Sequence, residues 1–150
     1  MADTFSQIYI HIVFAVKDRE CLINNAWEAK LHKYISGIVS NKNQKLLAIN
    51  GMPDHIHFLI GITASCYIPD LIREIKKSST IYIKEQHFTK FHFQWQEGYG
   101  AFSYSRSELG NVIAYINNQK QHHNKIAFKD EYKTLLKDFD IGFKEEHLFS

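Results

Sequence analysis

Two imidazoles one residue apart, His55-Ile56-His57, open the chemical reading of this 150-residue chain. On an extended strand, alternate residues share a face and stand roughly 6.5 to 7 Å apart. Both rings can then reach one metal ion while Ile56 anchors in a core. A His-x-His triplet by itself is common, and structural more often than functional. The second pair is Tyr115 and Gln119, spaced i and i+4, so that a phenol and a carboxamide share one helix face. Tyr115 on its own reads first as an aromatic packed against a sheet. Together the four residues offer two imidazoles for a metal and a phenol and carboxamide that could point at the same ligand or metal. A tyrosine hydroxyl, with a pKa near 10, is a weak nucleophile at neutral pH. It needs an electrophile polarised by a metal with an open coordination position and in-line placement.

Six of the nine histidines cluster in DHIH (54–57), HFTKFHF (87–93) and KQHHNK (120–125). Taken singly, each reads as a surface histidine. Positions around the two pairs, namely His11, Asp54, His122 and His123, are candidates for supporting the metal ligands or touching the substrate.

The elements that must position these groups are legible in hydrophobic periodicity. Gln7 to Val16 alternates, with Ile8, Ile10, Ile12, Phe14 and Val16 on one face and Tyr9, His11, Val13 and Ala15 on the other, which predicts a half-buried strand. Asn24 to Val39 carries Trp27, Leu31, Tyr34, Ile35 and Ile38 at helical spacing behind an Asn24 or Asn25 cap. Lys45 to Asn50 reads as a strand and Gly51-Met52-Pro53-Asp54 as a turn. His55 to Ile62 alternates again, Ile56, Phe58, Ile60 and Ile62 against His55, His57, Leu59 and Gly61. A helix from Pro69-Asp70 to Glu85 buries Leu71, Ile72, Ile75, Ser79 and Tyr82. Trp95 to Ser105 reads as a strand, Glu108 to His123 as a third helix, and Lys129 to Lys137 as a last short one.

The order β-α-β-β-α-β followed by two helices predicts one α+β domain over residues 1–150. Its core is a ferredoxin-like, RRM-like antiparallel four-stranded sheet with helices on one face, plus a C-terminal helix carrying Tyr115. In that topology the first and third strands are central neighbours. Their even-numbered apolar residues face the helices, which leaves Tyr9, His11, His55 and His57 on an open, solvent-facing side.

Composition bounds the function. A hydrophobic share of 45% and a charged share of 23% are those of a folded globular protein. A net charge of +2 excludes a bulk polyanion binder. No apolar run approaches the ~18 to 20 residues that span a bilayer, and MADTFSQIYIHIVF lacks the pattern of a secretory signal. Cys21 and Cys66 have no CxxC spacing and read as reduced thiols. A cytoplasmic protein with no membrane association is expected.

A His-hydrophobic-His pair followed by a helical Tyr-x-x-x-Gln resembles the single-tyrosine HUH transposases, the TnpA type of the smallest bacterial insertion sequences. HIVFAVKDRE, GMPDHIHFLIGI, LIREIKKSST, WQEGYGAFSYS, NVIAYINNQKQHH and FKDEYKTLLK are all similar to that family, in order, over nearly the whole chain. The resemblance implies His55 and His57 as metal ligands with Gln119 as the third, Tyr115 as nucleophile, and Mg²⁺ or Mn²⁺ as the metal. Ligand type alone leaves zinc and copper open. It also implies a homodimer acting on single-stranded DNA with a small hairpin, cleaved and rejoined through a 5′-phosphotyrosine. Val112, Ile113 and Ile116 would need a partner surface.

Lys17, Arg19, Arg73, Lys76 and Lys77 are the expected phosphate contacts. Alternatives stand beside this reading: a domesticated relative that processes chromosomal palindromes, a metal hydrolase that does not need Tyr115, and a non-catalytic nucleic-acid-binding module on the same sheet topology. Against the last, the first and third strands present histidines where base stacking would call for aromatics.

Overall fold

Alternation at period two creates the central strands, and their shared apolar face decides how they pair. In the computed structural model, which describes residues 3–20, 22–123 and 125–150, β1 spans Ile8–Ala15 and β3 spans His55–Ile62. They are antiparallel neighbours, with Ile12 opposite Phe58 and Ala15 opposite His55. β2 (Lys45–Met52) flanks β3 and β4 (Gly100–Tyr104) flanks β1, giving the sheet order β2-β3-β1-β4. This is the α+β, ferredoxin-like sheet expected from the element order. Cys21 lies outside the described residues; Cys66 is a free, partly buried thiol. No helix among the described residues is long and apolar enough to cross a membrane.

Helices α1 (Glu28–Asn41) and α2 (Ile68–Glu85) cover one face. Ile10, Ile12, Phe14, Ile56, Phe58 and Ile60 meet Leu31, Ile35, Leu71, Ile72 and Ile75 in a single core. α1 starts later than expected because Asn24 caps a turn, its Oδ1 accepting the Ala26 amide at 2.8 Å. Tyr34 stands at the edge of the α1 stripe, 36% exposed, with its ring stacked on Tyr82. β4 is shorter than the expected Trp95–Ser105. The Lys76 amino group draws in the carbonyls of Gln96, Glu97 and Gly98 at 2.7, 2.9 and 2.8 Å. Those carbonyls meet Lys76, and only an isolated bridge joins Trp95 to Val16 before pairing begins at Gly100.

The other face is not open, which corrects the expectation for Tyr9, His11, His55 and His57. α3 (Leu109–Asn117), the single-turn α4 (Gln119–His122) and α5 (Phe128–Asp138) lie over it. Val112 and Ile116 pack on Ala48 and Leu59. Phe128, Tyr132 and Leu136 pack on Val13, Ala15 and Phe102. The odd positions of β1 and β3 mix imidazoles with Val13, Ala15 and Leu59, and that apolar surface favours a cover. Two of the three α3 residues expected to need a partner molecule therefore find their surface within the chain.

The tight β2–β3 connection brings His55 to the strand end. At Gly51 a Cβ would lie 2.3 Å from the His55 carbonyl oxygen, a backbone atom that cannot swing aside. We expect Gly51→Ala to cost about 2 kcal/mol, read as a lowered midpoint in urea denaturation, through displacement of the backbone that carries His55.

Candidate active site

Under the C-terminal helices, β1 and β3 place three imidazoles together. His11, His55 and His57 are 0 to 1% exposed. Val13 sits opposite His57 in the register and His11 one pleat further along. His11 and His57 are therefore diagonal neighbours on the same face, joined Nε2 to Nδ1 at 2.8 Å. His55 Nδ1 meets Asp54 Oδ1 at 2.7 Å. Its ring stacks on Phe128 of α5, with centroids 3.7 Å apart.

Tyr115 and Gln119 come from α3 and α4. The expected single helix from Glu108 to His123 is broken at Asn118, whose φ and ψ are −96° and 15°. Asn50 on β2 donates to the Asn117 carbonyl at 3.0 Å, and Lys120 donates to the Glu28 carboxylate and, at 2.6 Å, to the Gly51 carbonyl. These bonds hold the break against the β2–β3 turn. The i, i+4 relation survives it, because Tyr115 and Gln119 converge on one acceptor, Glu131. The Tyr115 hydroxyl donates to Glu131 Oε2, as does Gln119 Nε2 at 3.0 Å.

Glu131, on α5, received no role in the sequence reading, and the site is organised around it. Its carboxylate is 4% exposed. Oε1 lies 3.0 Å from His57 Nε2, 2.9 Å from His123 Nε2 and 3.6 Å from His55 Nε2. Oε2 faces Tyr115, Gln119 and, at 3.4 Å, His122. A signal was present: Phe128, Glu131, Tyr132, Leu135 and Leu136 form one helical stripe, and an acid in an otherwise apolar stripe must find buried partners.

The electrostatics follow from burial and pairing. Burial opposes charge on Glu131, yet hydrogen bonds from His123 and His57 and the Tyr115 hydroxyl together hold its carboxyl well below the usual range. Burial lowers the His57 imidazole to about 4, against the pull of Glu131. His11 is lowered too, by burial and then by His57. The Tyr115 phenol is pushed far up, first by burial and then by the Glu131 charge. A neutral phenol pointing at a carboxylate is the resting arrangement.

Donor counting indicates what the site can hold. Asp54 takes the Nδ1 proton of His55, so His55 Nε2 is a lone pair in the neutral ring. That lone pair faces Gln119 Oε1 at 3.3 Å and Glu131 Oε1 at 3.6 Å. Gln119 has already turned its amide nitrogen toward Glu131. Three acceptors thus converge, an arrangement that a cation relieves. His55, His57, His123 and Glu131 can each point a ligand atom within 4.8 Å of the others. The Asp54–His55 pair is the orienting contact common behind metal-binding imidazoles. The residues fit a divalent metal.

The expected phosphate contacts divide. Lys17 and Arg19 follow β1 at the His55 end of the sheet, with the Arg19 guanidinium 4.8 Å over the Phe149 ring. Arg73, Lys76 and Lys77 sit on α2, across the sheet from the histidines. Lys76 is committed to its three carbonyls, and Arg73 pairs with Asp70 at 2.6 Å on the surface.

Fold and site together define an α+β protein with paired strand imidazoles facing a helix-borne tyrosine. The family model for IS200-like transposases matches residues 4–119, and the chain belongs to that family. It is 26% identical over 73 residues to the ISDra2 transposase TnpA of Deinococcus radiodurans, a stretch covering 49% of this chain and 52% of that protein. A crystal structure described as a transposase from Deinococcus radiodurans superposes with a TM-score of 0.60 at 23% identity, covering 79% of this chain and 95% of that one. A REP-associated tyrosine transposase bound to a REP hairpin superposes with a TM-score of 0.62 at 15% identity, covering 84% and 76%.

Proposed function

We propose that this protein cleaves and rejoins single-stranded DNA at hairpin-bearing ends through a covalent 5′-phosphotyrosine on Tyr115. The observation that carries this reading is the meeting of Tyr115, Gln119, His55 and His57 in one buried site of one chain, with acceptors arranged for a cation. The hairpin substrate is supported by the hairpin that the REP-associated relative binds.

In this reading His55, His57 and Gln119 hold Mg²⁺ or Mn²⁺. The metal, when bound, supplies Lewis-acid polarisation of a non-bridging phosphate oxygen. Tyr115 Oη attacks phosphorus: the Oη–P bond forms, the P–O3′ bond breaks, and the phenolic proton ends on the freed 3′-oxygen. Because the adduct keeps the ester bond energy, a DNA 3′-OH reverses the step and joins strands without a nucleotide cofactor. Asp54 fixes the His55 ring, and His11 fixes the His57 ring.

The cleft beside Tyr115, lined by His122, Ile126 and Glu131, holds about 150 Å³, less than the roughly 300 Å³ at which ligand pockets begin. Lys17 and Arg19, at the His55 end of the sheet, are the phosphate contacts of this reading at the site; Arg73 and Lys77 lie across the sheet and would meet only DNA that extends beyond it, and Lys76 is held internally. A homodimer belongs to it through the family, without support from the apolar face of α3.

The test is a denaturing gel with 5′- and 3′-labelled hairpin DNA and Mg²⁺ or Mn²⁺. We expect an SDS-resistant adduct carrying the label 3′ to the cut, a free 3′-OH on the other fragment, and neither in EDTA. Cleavage to free 5′-phosphate with no adduct would replace this reading by hydrolysis.

A further inference from the structure

We infer that Glu131, with His123 beside it, is an anionic ligand of the cation in this site, added from the C-terminal helices to the imidazole pair. The inference rests on the metal reading above and extends it to residues beyond 4–119, where the family model stops.

Two oxygen or nitrogen ligands bound at 2.0 to 2.2 Å and at right angles stand about 3 Å apart. Glu131 Oε1 lies 3.0 Å from His57 Nε2 and 2.9 Å from His123 Nε2. The four ligand atoms of His55, His57, His123 and Glu131 all lie within 4.8 Å of one another. A buried carboxylate is also the stronger electrostatic partner for a divalent ion. Gln119 offers a dipole, whereas Glu131 offers a full charge at 4% exposure, where screening by water is weak.

The other contacts fit this role. Gln119 Nε2 donates to Oε2 and leaves Oε1 to the imidazoles. His123 Nδ1 is 2.7 Å from the Ile126 carbonyl, which directs its Nε2 lone pair inward when Nδ1 carries the proton. The Tyr115 hydroxyl donates to Oε2. One carboxylate then fixes the nucleophile relative to the ion, and seating of α5 becomes part of completing the site. An oxygen anion among the ligands also favours Mn²⁺ or Mg²⁺ over a purely imidazole set.

The experiment measures Mn²⁺ binding to the full chain without DNA, by EPR of the unbound ion, and locates Mn²⁺ by anomalous diffraction from crystals of the unaltered protein. We expect one tight site, and an anomalous peak in bonding distance of a Glu131 oxygen. Glu131→Gln should weaken binding at least about tenfold, since ligand charge count governs affinity at oxygen-rich sites. Glu131→Asp, which keeps the charge, should retain most of the affinity. The diffraction arm needs no variant, so it stands even if Glu131→Gln folds poorly.

A peak held by His55, His57 and Gln119 with Glu131 out of bonding distance overturns this inference and leaves the metal reading intact. So does a Glu131→Gln variant that is folded and binds Mn²⁺ as the unaltered chain does. No Mn²⁺ bound by the unaltered chain overturns both.

Discussion

Tyr115→Phe will bind hairpin DNA and metal as the unaltered chain does, and will form no covalent adduct. The substitution removes one oxygen, and the cavity change is small because the ring stays between His11, His57 and His122. What is lost is the only reactive atom the mechanism assigns to the protein. Deleting a nucleophile's reactive atom costs on the order of 10³-fold or more in rate. Tyr104, also near His11, is not expected to compensate: it lies on β4 with its ring against Phe139, whereas the Tyr115 hydroxyl is held at Glu131 beside Gln119. The measurement is adduct yield on a denaturing gel beside hairpin affinity under native conditions. Adduct at a comparable rate would show that Tyr115 is not the nucleophile; unchanged strand cleavage without adduct would point to an activated water.

His57→Ala will abolish metal-dependent cleavage, and it will also destabilise the fold. The position looks dispensable for stability if the strand face is assumed to be open. In the structure the ring is fully buried between His11 Nε2 and Glu131 Oε1, at 2.8 and 3.0 Å. Truncation removes a donor from a buried carboxylate and opens a cavity against Tyr115 and Phe128. Loss of one of several donors to a buried carboxylate, together with the cavity opened, costs about 3 kcal/mol. For a chain of this size that corresponds to roughly 6 to 12 °C in melting temperature.

A double variant, His57→Ala with Glu131→Gln, removes the charge that the single variant leaves with fewer donors, since Tyr115, Gln119 and His123 still reach it. It should recover part of the lost stability while remaining inactive. Calorimetry of the two variants beside the unaltered chain checks this. A His57→Ala protein as stable as the parent would mean that the His57 contacts to His11 and Glu131 carry no net stability.

Much of the geometry of the candidate site was legible in the chain. His55-Ile56-His57 had to present two imidazoles on one side of a strand, because side chains alternate at period two whatever the rest of the fold does. The pairing of β1 with β3 followed from their matching apolar faces, and Tyr115 and Gln119 stayed together across a helix break because one turn of spacing is a local property.

What the sequence did not reveal is what lies on the second face of the sheet. Val13, Ala15 and Leu59 between the histidines favoured a cover, but which helix provides it depends on contacts between residues far apart in the chain, and no periodicity encodes these. α5 settled on that face with Phe128 against His55 and with Glu131 in the centre of the cluster. The same docking turned exposed histidines into buried ones and supplied the carboxylate. Local pattern determined which side chains share a face. Only tertiary packing decided that the face is closed, and it alone brought a buried acid together with its partners from β3, α3 and α4 in the candidate site.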